Sequence, residues 1–199
     1  RAAIVEPNHA RHQIAGAYLP AMPVLPAQPS FTAPLLYFAY GSNMDPIQMR
    51  RRCPSARFVA IASLAEHKLA FSRRSMRRRS GVADVVPVPG AEVWGIVYRL
   101  LSVRDIQVLD AAEGFRPARK RAQGYIREVR LVSLGGAGTP ASVNIYIAQR
   151  QKSPPPPTAA YIAHMTRGAE HWGLPAGYHG MLVGIAREGE DLGAGFKPT

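Results

Sequence analysis

A chain of 199 residues that is 47% hydrophobic has enough apolar material for one domain with a substantial core. Its 25 Lys and Arg against 13 Asp and Glu give a net charge of +12, which admits an anionic substrate, an anionic surface or nucleic acid as partner and selects none of them. The single cysteine excludes an intrachain disulfide and a Cys-cluster metal site, and no apolar run approaches the ~20 residues of a membrane helix, so the expectation is a cytoplasmic protein.

Residues 1–34 contain Pro20, Pro23, Pro26, Pro29 and Pro34 and read as an extended or partly disordered arm. The apolar stretch "IAGAYLPAMPVLPA" within it is cut by prolines and does not read as a signal peptide. From Leu35 onward, strand patterns recur at "LLYFAY", "RFVAIASL", "HKLAFS", "VADVVPV", "EVWGIVYRL", "YIREVRLVSL" and "ASVNIYIAQ", about seven strands by pattern. Helical patterns cover Asp45 to Arg52, Ser102 to Glu113 and Thr158 to Trp172, with a weaker one after Pro175. "GGAGTP" reads as a hairpin loop and "QKSPPPPT" as a stiff connector into the third helix. Strands mostly follow strands without crossover helices. The predicted fold is therefore mixed α/β of the α+β kind, a small mixed or antiparallel β-barrel surrounded by a few helices. The domain spans 35–186 and a tail 187–199 follows.

Two segments carry chemistry. In "LLYFAYGSNMDP" a strand ends at Gly41, and Asp45 with Pro46 behind it makes a capped helix start, so backbone amides converge on one spot suited to a carboxylate or an oxyanion. Ser42 lacks the G-x-S-x-G surroundings of a nucleophile. In "SVRDIQVLDAAEGF", Ser102 and Asp105 resemble a capping box and Gly114 a C-terminal stop. Ile106, Leu109 and Glu113 follow at spacings of three and four, which puts a carboxylate on the stripe that should face the core. Burial and the negative helix end would both raise its pKa, making Glu113 a candidate general base. The alternative is a solvent-facing Glu113, or one paired with Arg116 or Arg127. Cys53 reads as a half-buried helix-end residue. His164, His171 and His179 lack H-E-x-x-H spacing and read as surface or helix-end residues, so no metal site is expected.

Taken in order, "LYFAYGSNM", "EVWGIVYRL", "LDAAEGF", "YIREVRLV", "IYIA", "PPPPTAAYI" and "GLPAGYHGML" resemble the gamma-glutamylcyclotransferase family over about Leu35 to Ile185. The resemblance implies a small mixed barrel whose cavity is roofed by the Tyr-Gly-Ser loop and holds one essential glutamate, which falls on Glu113. The loop positions it implies for substrate binding are Tyr37, Phe38, Ala39, Tyr40, Gly41, Ser42 and Asn43, with Tyr125, Tyr146 and Tyr161 as cavity tyrosines. It further implies a small-molecule gamma-glutamyl substrate, release of 5-oxoproline without metal, nucleotide or other cofactor, and leaves a homodimer open.

Two basic segments depart from the family pattern, "SRRSMRRRSG" at 72–81 and "GFRPARKRAQG" at 114–124. They read as solvated loops, as an arginine clamp for substrate carboxylates, or as an anchor for an acidic carrier protein bearing a gamma-glutamyl group. A non-enzymatic polyanion or nucleic-acid binding module is the alternative of another class. The basic runs lack the interleaved aromatics and motifs of nucleic-acid readers, which argues against it.

Overall fold

The computed structural model describes residues 35–115, 124–135 and 138–194, with side chains through 188. The proline-rich arm 1–34, Arg116 and most of the basic segment 114–124 lie outside the described residues. Five described strands, β1 (Leu35–Ala39), β2 (Arg57–Ser75), β3 (Ser80–Leu100), β4 (Tyr125–Leu134) and β5 (Thr139–Ala148), close into a barrel in the order β1-β3-β2-β4-β5. Neighbours run antiparallel except β1 and β5, which run parallel with Tyr37 opposite Asn144. The barrel is thus mixed, within the predicted class. Its two short seams are β1 to β5, paired at Tyr37 with Asn144, and β2 to β4, paired at Ala62 with Leu134 and Ser63 with Ser133.

The seven strand patterns become five strands because four of them join in pairs. "RFVAIASL" and "HKLAFS" are continuous in β2 across a bulge at Glu66, a non-glycine residue at φ 58°. Opposite it, β3 carries "VPGA" between the paired residues Pro87 and Glu92, where Gly90 takes φ 73° and donates its N–H to Glu66 Oε2 at 3.0 Å. The punctuation visible in the sequence is therefore a pair of bulges that bend one long hairpin. Its end, the turn 76–79 with the strand residues on either side, carries the basic segment 72–81.

Four described helices pack around the barrel: α1 (Pro46–Arg52), α2 (Val103–Glu113), α3 (Ala159–Trp172) and α4 (Ala176–Ala194). Asp45 caps α1 by accepting from the Ile47 and Gln48 amides, with Pro46 at its first turn. Ser102 caps α2 through the Arg104 amide, and Gly114 ends it in the left-handed region at φ 68°. The reciprocal half of the expected capping box is used elsewhere, since Asp105 accepts from Ser55 Oγ and so ties α2 to the end of α1. Helix α4 continues unbroken past Arg187, where the sequence suggests the tail to begin.

Barrel and helices share one core. Phe38, Ile96, Leu109, Ile145, Ile162 and Met165 are fully buried, each contributing about 1.5–3 kcal/mol of burial. Gly168 lets α3 approach the 3-10 turn Ser42–Met44 so closely that a Cβ there would sit 2.5 Å from the Met44 carbonyl carbon. The "PPPPT" connector is equally tight: the Gly81 amide donates to Pro156 O at 3.0 Å and the Thr158 amide to Ser80 Oγ at 2.9 Å. These contacts hold the Tyr-Gly-Ser loop and the basic hairpin in place. No described helix is long and apolar enough to cross a membrane.

Candidate active site

A cavity of about 420 Å³ opens where the end of β1, the end of α2, the hairpin tip and the first turn of α3 meet. Glu113 lines it, as the stripe Ile106, Leu109, Glu113 predicts, and 19% of its side chain stays exposed. Burial pushes its pKa above the ordinary glutamate value, opposed by the positive charges of Arg52, Arg78 and Arg77. Arg52 Nη1 lies 3.7 Å from its Oε1. The pairing alternatives read from sequence resolve differently: Arg127 binds Asp110 at 3.0 Å, and Arg116 is outside the described residues. A Cβ at Gly124 would stand 2.4 Å from the Glu113 carbonyl oxygen, so glycine there is what allows β4 to begin against the end of α2.

Five tyrosines wall the cavity, and each phenol is fixed. Tyr37 Oη accepts from Asn43 Nδ2 at 2.8 Å, and Tyr40 Oη donates to the Tyr146 carbonyl. Tyr125 Oη donates to Ala83 O at 2.7 Å, while Tyr161 Oη accepts from the Ala83 amide at 3.0 Å. Tyr146 Oη donates to Asp110 Oδ1 at 2.7 Å, one turn of α2 before Glu113. Burial raises all five phenol pKa values, so these groups stay protonated and neutral. Tyr37 and Tyr161 are engaged as acceptors, which leaves each an O–H to donate to a bound molecule.

Of the loop positions, Tyr37, Tyr40, Gly41, Ser42 and Asn43 reach the cavity. Phe38 and Ala39 do not. Side chains alternate along β1, so Phe38 points away from Tyr37 into the core, and the Ala39 backbone packs where Gly95 leaves room for its carbonyl. The helix-start reading also needs correction. The α1 N-terminus is filled by its own cap, because Asp45 receives the Ile47 amide at 2.9 Å together with His164 Nδ1 at 2.6 Å and Arg167 Nη2 at 2.8 Å. His164 is thereby a partner of a buried carboxylate, not a bare surface residue. The loop faces the cavity with Gly41 to Asn43 instead, and the Ser42 amide lies close to the Tyr161 phenol.

Two residues that the sequence did not single out complete the site: Arg52 lines the cavity and Gln48 braces the loop from behind it. Gln48 and Arg52, four apart on α1, share one face. Gln48 Nε2 donates to Ser42 Oγ at 2.8 Å and to Asn43 Oδ1 at 3.0 Å, its Oε1 accepts from Arg78, and Arg52 donates to Asn43 Oδ1 at 2.7 Å. The spacing of Gln48 and Arg52 behind "YGSN" was the available signal. Cys53 is 1% exposed with its thiol pushed up to about 12, chiefly by burial, and is chemically quiet. Among the described residues no His, Cys, Asp and Glu group could hold a metal ion.

The cavity of this mixed barrel thus sets one carboxylate, Glu113, among neutral phenols and guanidinium groups beside a Gly-Ser loop, a lining suited to a small anionic molecule. The family described as "Gamma-glutamyl cyclotransferase, AIG2-like" matches residues 37–163. Gamma-glutamylcyclotransferases of Mus musculus and Homo sapiens are each 32% identical over 154 residues, covering 75% of this chain and 78% of theirs. A solved structure titled "Gamma-glutamyl cyclotransferase" superposes with a TM-score of 0.67 at 30% identity, covering 76% of this chain and 87% of that one. The chain belongs to the gamma-glutamyl cyclotransferase, AIG2-like family.

Proposed function

We propose that this chain is a gamma-glutamylcyclotransferase that converts a gamma-glutamyl amino acid or amine to 5-oxoproline and the free amino acid or amine, with Glu113 as its base. The observation that carries the reading is the placement of Glu113, a carboxylate with raised pKa, inside the cavity roofed by the Tyr-Gly-Ser loop. At neutral pH the α-amine of the substrate is an ammonium and not nucleophilic. Glu113 takes a proton from it. The freed nitrogen attacks the gamma-carbonyl carbon of the same molecule, closing a five-membered ring whose geometry supplies most of the advantage of proximity. Negative charge develops on the carbonyl oxygen, and the loop Gly41 to Asn43 with the Tyr161 O–H supplies neutral donors for it.

The bond from the gamma-carbon to the departing nitrogen then breaks. In becoming a lactam the attacking nitrogen sheds two protons and the departing amine gains two, so Glu113 serves as acceptor and then donor. The chemistry consumes no water and forms no covalent enzyme intermediate. Tyr37 donates to a substrate carboxylate, and Tyr146 with Asp110 fixes the last turn of α2 so that the Glu113 carboxylate stays aimed at the amine.

The test is incubation with gamma-glutamyl-alanine, glutathione and a gamma-glutamyl amine, with 5-oxoproline release measured for each. Turnover of at least one, lost by about a thousandfold in Glu113→Gln, is the expected result. Full turnover by that variant sinks the assignment of the base.

A further inference from the structure

The proposed chemistry leaves one wall of the cavity unused. The hairpin tip brings Arg73, Arg74, Arg77 and Arg78 to it and α1 brings Arg52, against Glu113 as the one carboxylate among the described lining residues. These charges act on one another. The Arg78 pKa is lowered, first by burial and then by the like charges of Arg52 and Arg77.

Three of the five are committed to protein groups. Arg78 donates to Gln48 and sits 5.4 Å over the Tyr161 ring, Arg52 binds Asn43, and Arg73 donates to Gln149 O at 2.9 Å. Arg74 and Arg77 differ. Both are exposed at the rim, and among the described residues their guanidinium groups have no hydrogen-bond or ion-pair partner.

Nor is the tip a loose basic loop. The Arg74 amide donates to Gln151 Oε1 at 2.8 Å and the Gln151 amide to Ser72 O at 2.9 Å. Deeper in the hairpin, fully buried Asp84 accepts from Ser72 Oγ at 2.7 Å and from Arg150 Nε at 3.0 Å. A Cβ at Gly81 would stand 2.2 Å from Pro155 O, so the proline connector is seated directly on the hairpin. The rim arginines are thus carried on a fixed backbone, which lowers the ordering cost of gripping an anion.

We infer that Arg74 and Arg77 form a subsite for an acidic leaving group, so that this chain prefers gamma-glutamyl substrates whose released amino acid carries a side-chain carboxylate. The inference rests on the cyclisation proposed above. The attacking amine has to reach Glu113 among the buried phenols, so the far side of the scissile amide extends toward the exposed rim where Arg74 and Arg77 stand. A gamma-glutamyl dipeptide with a neutral leaving residue has a single net negative charge at pH 7, and one with an acidic leaving residue has a second. Guanidinium groups donate forked hydrogen bonds to the added side-chain carboxylate, the third carboxylate of such a dipeptide.

The test compares kcat/KM for gamma-glutamyl-glutamate with that for gamma-glutamyl-glutamine, which has nearly the same shape without the charge. A preference for the glutamate dipeptide of about three- to tenfold at low ionic strength is expected, shrinking as salt is raised, on the scale of partly exposed ion pairs. In the Arg74→Ala/Arg77→Ala double variant the ratio falls toward unity, and Arg74→Lys/Arg77→Lys restores part of it. Equal or faster turnover of the glutamine dipeptide by the unmodified chain overturns the inference, as does a ratio unmoved in the double alanine variant. If neither dipeptide nor gamma-glutamyl-alanine releases 5-oxoproline, the reaction itself is wrong and the inference falls with it.

Discussion

Two carboxylates sit at helix ends in this molecule, and they behave in opposite ways. Asp45 caps the N-terminus of α1, and Glu113 closes the C-terminus of α2. Burial works to raise both pKa values. At Asp45 the hydrogen bonds from His164, Arg167 and the Ile47 amide outweigh it and hold the carboxyl at about 2. At Glu113 burial prevails over Arg52, Arg78 and Arg77, and the pKa lies above its ordinary value. The difference lies in where hydrogens point: Asp45 is given donors at bonding distance, whereas the Arg52 guanidinium beside Glu113 stands 3.7 Å away. One carboxylate is a permanent anion that builds the loop, and the other is left able to take and release a proton.

The largest expected effect on this contrast comes from Glu113→Gln, which removes the exchangeable proton and keeps the shape, with the thousandfold loss of turnover given above. Next is Asp45→Ala. It leaves the α1 amides uncapped and strips His164 and Arg167 of their anion, and a loss of about 2–4 kcal/mol in urea unfolding is expected. A variant as stable as the parent would mean that the cap network does not hold the loop.

Arg52→Ala sharpens the comparison from the other side. It removes the positive charge that does most to lower the Glu113 pKa, so the acidic limb of the kcat/KM profile should move to higher pH, while Arg52→Lys moves it less. An unmoved limb would show that Arg52 does not tune the base.

The smallest effect is on stability against pH, and its sign differs at the two sites. Asp45, lowered from 3.8 to about 2, contributes stability that is present above its unfolded pKa and lost as pH falls toward 2. Glu113, raised from 4.5, contributes stability below that value which is lost as pH rises through its folded pKa. Glu113→Gln should therefore have a higher Tm than the parent at pH 8, with the gap closing near pH 4. A Tm below the parent at pH 8 would mean that the ionised carboxylate is stabilised by its arginines after all.

The same contrast explains what could be read from the sequence. Helix ends are local, so Asp45 with Pro46, Ser102, Gly114 and the Ile106, Leu109, Glu113 stripe were legible, and with them the carboxylate facing the core. The family signature likewise marked the loop and the cavity tyrosines. What escaped was non-local: Arg52 meeting Glu113, His164 on α3 reaching Asp45, and Gln48 bridging Ser42 to Arg78. No spacing rule connects such pairs, because the barrel closure that brings them together is a property of the whole chain. Phe38 and Ala39 were assigned to the site as parts of a motif, but Phe38 lies on the strand face opposite Tyr37, the Ala39 methyl is too short to line the cavity, and Tyr40 reaches it from beyond the end of β1. Merging seven patterns into five strands depended on bulges at Glu66 and Gly90, where a break and a bend look alike in sequence.

The most direct test of the account is the pH dependence of 5-oxoproline release from a gamma-glutamyl dipeptide by the full chain, measured as kcat/KM beside Glu113→Gln. Activity is expected to fall on the acid side with a midpoint above the ordinary glutamate pKa of 4.5, with no such limb in the near-inactive variant. A profile flat down to pH 4.5, or the same limb at full activity in Glu113→Gln, would contradict it.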